Sequence, residues 1–117
     1  MARAATTTDV FNAVAEPRRR NLLEALARGE QPVGRLVEQV ALPQPLVSKH
    51  LRVLREVGLV TVRDAGRQRL YRLNGAALDP IHDWLDDLRT LWEQRFEHLD
   101  SVLAELKEQE TDDEHNS

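Results

Sequence analysis

Within the run QPLVSKHLRVLRE, Gln44, Ser48, Lys49 and Arg52 recur at steps that place them on one side of a helix, while Val47, Leu51 and Leu54 take the other. An amide, a hydroxyl, an ammonium and a guanidinium over a sealed apolar back are what a helix needs to read base edges in a major groove and to hold phosphate. An ordinary solvated helix carries the same residue types, so this helix alone leaves both readings open. A second cationic group narrows the choice. Arg63, Arg67 and Arg69 surround Gly66, where a flexible tip can lay guanidinium groups against phosphate or into a minor groove. Charge also protects exposed strand edges, but helix, glycine and basic hairpin in this order point to duplex DNA as the partner.

Other chemistry is poorly supplied. The chain has no cysteine, which excludes disulfides, thiolate metal sites and thiol nucleophiles. It has no glycine-rich phosphate loop and no serine in a nucleophile turn, so an enzyme is not expected. His82 with Asp79, Asp83 and Asp86, and His98 with Glu97, could offer metal ligands across a dimer. Two histidines without tight spacing read more simply as the solvated side of a long helix, so no metal and no cofactor is expected. His50 either donates to a phosphate or packs at the edge of its helix. Arg18, Arg19 and Arg20 open a helix, where cations oppose the dipole, which suggests either a phosphate contact or a tertiary ion pair, the ion pair favoured for at least one of them. Trp84 and Trp92 could line a ligand pocket but read better as packed surface.

The elements that must position these groups follow from punctuation and periodicity. A short helix can begin after Thr8 as N-cap, burying Val10, Phe11 and Val14, and must stop by Glu16 because of Pro17. A second runs from Pro17 to about Ala27 with Leu22, Leu23 and Leu26 inward, and Gly29 ends it. After a Gly29-Glu30-Gln31-Pro32 connection, VGRLVEQVAL forms a third helix on Val33, Leu36, Val37 and Val40. The recognition helix then spans about Gln44 to Val57, and Gly58 stops it. Leu59–Arg63 and Gln68–Leu73 read as a β-hairpin around Asp64-Ala65-Gly66-Arg67. Asn74 could cap a last helix from about Ala76 to Leu106, whose apolar positions step by three and four. Trp84, Leu91 and Val102 widen that stripe beyond what one small domain can cover, which implies a partner chain.

At 117 residues one domain is expected: residues 1–7 as a flexible N-terminus, 8–107 as the folded body and 108–117 as an acidic disordered tail. The net charge of −4 hides a strong asymmetry. Residues 17–72 hold twelve Lys/Arg against five acids, and residues 73–117 hold three against thirteen. The middle suits phosphate, and the acidic end should point away from DNA. The opening MARAATTTDVFNAVAEPRRR lacks the apolar core of a signal peptide, and no stretch suits a membrane span, so a cytoplasmic protein with no membrane partner is expected.

The segments AVAEPRRRNLLEAL, PVGRLVEQVALPQPLVSKHLRVLREVGLV and RDAGRQRLYRLN together resemble the ArsR/SmtB family of winged-helix repressors, over Val10 to about Leu106. IHDWLDDLRTLWEQRFEHLDSVL resembles a cysteine-free subgroup whose final helix carries two tryptophans. The resemblance implies a mainly α fold with a small β-hairpin, a winged helix-turn-helix with N- and C-terminal dimerisation helices. It implies repression by a homodimer on a palindromic operator beside a promoter, and it names no effector. The resemblance nominates Gln44, Ser48, Lys49 and His50 on the helix and Arg67 on the wing; with the reading of the residues themselves, the expected DNA-binding set also includes Pro45, Arg52, Arg63, Gln68 and Arg69. The implied dimer interface comprises Phe11, Leu78, Ile81, Leu85, Leu88, Trp92, Phe96 and Leu99. Two departures stand out. Pro43 occupies the N-cap where the family often has serine, and the family's Asp-x-His metal pair falls on Gly75 and Ala77, which cannot ligate. A metal-responsive repressor using the last helix, and a winged-helix module that binds protein, are the competing readings.

Overall fold

The computed structural model describes residues 9–116, in two compact units, Met1–Ile81 and His82–Ser117. In the first, α1 (Val10–Ala15) and α2 (Pro17–Ala27) lead into β1 (Gln31–Pro32), α3 (Val33–Val40), α4 (Gln44–Glu56), β2 (Val60–Ala65) and β3 (Gln68–Leu73). A 3-10 turn (Gly75–Leu78) precedes α5 (Asp79–Asn116), which makes up the second unit from His82 onward.

Asp9, not Thr8, caps α1: its Oδ1 accepts from the Asn12 amide at 2.8 Å. An aspartate does this as well as any residue and also complements the helix dipole. Glu16 caps α2 in turn, accepting from the Arg18 amide, with Pro17 in the first helical position that its ring suits. The arginines that follow do not form the expected ion pair among the described residues. Arg19 donates to the carbonyls of Ala13 and Asn12, and Arg20 to those of Val14 and Ala15. Cations unfavourable at the start of α2 thus satisfy the orphan carbonyls at the end of α1, where the dipole favours them.

Leu22, Leu36, Val47, Leu51, Leu54, Leu59 and Val60 are fully buried and, with Ala13 and Leu26, form the core beneath α1–α4 and the sheet. Each large side chain so buried contributes about 1.5–3 kcal/mol relative to exposure. Phe11, expected to be buried by α1, is exposed instead. Leu78, expected at a dimer interface, packs on the core of its own chain.

The expected hairpin is part of a three-stranded antiparallel sheet in the order β1-β3-β2. β1 lies in what reads as a connection, because two residues ending in proline carry no strand periodicity; its pairing to Tyr71 and Leu70 is purely tertiary. β2 extends to Ala65, so the turn shortens to Gly66-Arg67, with Gly66 at φ 66° as a two-residue hairpin turn demands. Asn74 does not cap the last helix through its side chain. It donates to the Gly58 carbonyl at 2.9 Å, and its amide bonds Leu59, fastening the end of β3 to the start of β2. α5 accordingly begins at Asp79 rather than Ala76 and is continuous past Leu106 to Asn116, through Glu, Lys and Gln residues that favour helix.

Candidate nucleic-acid interface

α3 and α4 meet through a tight turn in which Ala41 adopts a left-handed φ of 54° and its amide bonds the Val37 carbonyl. At the head of α4 the Pro43 carbonyl accepts from the amides of Leu46 and Val47, and no side chain caps the helix. Neither Gln44 nor any other described residue replaces the serine cap, so the first turn is closed by backbone alone.

α4 is two-faced. Val47, Leu51 and Leu54 seal it to the core, while Gln44, Pro45, Ser48, Lys49 and Arg52 are exposed. Among the described residues Gln44, Ser48 and Lys49 make no side-chain hydrogen bond or ion pair within the chain. Arg52 lies 3.5 Å from Glu56 in a largely exposed pair that costs little to break.

His50 departs from the expected contact set. It is only 7 % exposed, with Nδ1 3.5 Å from Arg19 Nη1 and Nε2 without a partner. Burial, and then the Arg19 guanidinium, hold its pKa below the ordinary 6.5, so the ring is neutral near pH 7. Of its two sequence readings the structure selects packing, because the inward face of α4 includes this position.

On the wing, Arg67 and Gln68 are exposed at the tip and, among the described residues, make no side-chain hydrogen bond or ion pair. Arg69 stands 3.8 Å from Asp64 across the hairpin, an exposed pair that leaves its guanidinium accessible. Arg63 is engaged instead. Its Nε and Nη2 donate to the two carboxylate oxygens of Glu30, each at 2.7 Å, which lowers the Glu30 pKa and raises that of Arg63. Sequence reasoning missed this contact, and it missed the buried Gln31, which donates to Ala25 O and accepts from Gln39. Glu30 and Arg63 stand 33 positions apart, and neither Glu30 nor Gln31 belongs to a periodic pattern that could have shown its contacts.

Among the described residues no three His, Asp or Glu groups gather as a metal site. His82 lies beside Asp83, and His98 is on the same helix about 24 Å further along it at 1.5 Å per residue. Two such histidines of one chain cannot share an ion. Along α5 the apolar stripe is exposed: Trp84, Leu85, Leu88, Leu91, Trp92, Phe96, Leu99, Leu103 and Leu106, with Trp92 and Phe96 edge to face at 4.8 Å.

Residues 16–62 match the family model for bacterial regulatory proteins of the arsR family. The chain is 38% identical over 76 residues to the HTH-type transcriptional regulator Rv2034 of Mycobacterium tuberculosis, a match covering 65% of this chain and 71% of that protein. It is 40% identical to the HTH-type transcriptional repressor SmtB of the same species, over 56% of this chain and 48% of SmtB, so it spans about half of that relative. Among solved structures, a possible transcriptional regulator for arsenical resistance superposes with a TM-score of 0.64 at 40% identity, covering 70% of this chain and 85% of the other.

Proposed function

The chain belongs to the arsR family of bacterial regulatory proteins, a DNA-binding transcriptional repressor and not an enzyme, and we propose that it acts as a homodimer on an imperfect palindrome. The observation that carries this reading is the two-faced α4, whose outward Gln44, Ser48 and Lys49 have no side-chain partner among the described residues while its back is closed by the core. Two such helices would enter successive major grooves, about 34–36 Å apart. Arg67, Gln68 and Arg69 would meet the flanking backbone. α1, through Phe11, and α5, through Ile81, Leu85, Leu88, Trp92, Phe96 and Leu99, would form the dimer, with residues 8–107 as the working domain. No described helix is long and apolar enough to cross a membrane, and a DNA partner would suit a cytoplasmic protein.

Fluorescence anisotropy on the DNA upstream of the protein's own gene, against a scrambled duplex, tests the proposal. The expected result is tighter binding to the upstream duplex, by a factor of about a thousand or more, with affinity falling steeply as salt rises. Equal affinity for the two duplexes would refute it.

A further inference from the structure

The wing is supported over only part of its length. β1 pairs with β3 at Gln31↔Tyr71 and Pro32↔Leu70, and nothing further. Leu70 is in turn the partner of Arg63 on β2. Arg63↔Leu70 is therefore the last rung backed by a third strand, and the rungs beyond it, Asp64↔Arg69 and Ala65↔Gln68, form a bare two-stranded ribbon that ends at Gly66 and Arg67. Two-stranded ribbons are marginal in water and free to bend and twist.

The Glu30–Arg63 contact lies at this fulcrum. Glu30 immediately precedes β1, and its carboxylate reaches across the sheet to the β2 arginine in a two-pronged pair. Planar, bidentate geometry fixes direction as well as distance, which a lysine or a single bond would not. Glu30 is a quarter exposed, more sheltered than Arg63. The second strand residue that acts on it, Arg72, does so only through its charge.

We infer that Glu30 and Arg63 are positioning residues for DNA binding: they clamp the base of the wing to the α2–α3 connection, so that Arg67 is presented at a set angle to α4. Arg63 then serves the wing from within the protein and is not a phosphate contact. The inference rests on the DNA-binding reading for its consequence, but the clamp itself can be tested without DNA.

The electrostatic and positioning accounts predict opposite signs. If only charge mattered, Glu30→Gln would remove a negative group and tighten binding, while Arg63→Gln would weaken it and lower the salt slope by about one. A clamp predicts that both variants weaken operator binding by a similar factor, about threefold to tenfold, with the slope unchanged. The double variant should be no worse than either single one, and the reversed pair, Glu30→Arg with Arg63→Glu, should recover most of the loss. Amide exchange of the free full-length protein gives the independent measure. Glu30→Gln should speed exchange in the Asp64–Arg69 segment and leave α2 and α4 unchanged.

Tighter or unchanged binding by Glu30→Gln overturns the inference, as does a drop of one in the slope for Arg63→Gln alone. Should the unaltered protein show no salt-dependent affinity for any duplex, the DNA reading falls. Exchange then decides the clamp alone: wing-tip rates unchanged in Glu30→Gln refute it, and faster rates uphold it.

Discussion

Lys49 and His50 are neighbours in the chain, yet one faces solvent and the other the core, since an α-helix turns by about 100° at each residue. The same rotation leaves Gln44 and Ser48 one turn apart on the outward side. At this scale two kinds of contact to DNA separate cleanly. Gln44→Ala should relax sequence discrimination by about 1–3 kcal/mol at the base it reads, measured by competition with single-base operator variants. Arg67→Ala should weaken all duplexes alike and lower the salt slope by about one, because a tip guanidinium with no ion pair among the described residues is available to the phosphate backbone. His50 makes a different prediction. Its folded-state pKa is below the ordinary 6.5, so as pH falls through that value the unfolded chain takes the proton first and stability is lost. Above it both states are neutral and the term vanishes. Thermal melts of His50→Gln should therefore decline less between pH 7 and 5.5 than those of the unaltered protein; an identical decline would assign the effect elsewhere. The lowered Glu16 and Glu30 act in a separate, more acidic window, contributing above 4.5 and losing that contribution below it.

Among the elements, α1 shows how a six-residue helix persists. It is too short to be stable alone, and both of its ends are tied: Asp9 holds the amide end, while Arg19 and Arg20 hold the carbonyl end from the next helix. Asp9→Ala should cost about 1 kcal/mol, read as a lower urea midpoint with an unchanged slope. α4 lacks a comparable side-chain cap, and Pro43 offers only its backbone carbonyl and the fixed angle of its ring. The recognition helix is consequently held less by its start than by the burial of Val47, Leu51 and Leu54. The wing differs again, gaining its order from pairing to β1 and from Glu30.

For the molecule as a whole, α5 sets the question, because its apolar residues are exposed in the single chain. Leu85, Trp92, Leu99 and Leu106 recur at seven-residue steps, the spacing that favours a left-handed pairing of helices. Leu88→Glu or Trp92→Glu places a charge in the middle of that stripe. Sedimentation should show the change from dimer to monomer, and operator affinity should fall about a hundredfold or more as the two half-sites are no longer bound together. A variant that remains dimeric would exclude α5 as the interface.

Local patterns of residues were enough to place α2, α3, α4 and the hairpin and to nominate Gln44, Ser48, Lys49 and Arg67, because periodicity, prolines and glycines act within a few positions of where they stand. The resemblance to the arsR family rests on the same local strings. What they could not contain was the partner of each polar group across the fold. Arg63 is the same residue type as Arg67 in the same hairpin, and only the return of β1 to β3 brings Glu30 to one and not the other. His50 sits beside Lys49 in a basic stretch, and only the packing of α1 and α2 over α4 buries it. Side-chain type and local phase are properties of the sequence. Which groups are desolvated and which are already satisfied depends on contacts between residues thirty positions apart, and the tertiary structure decides those.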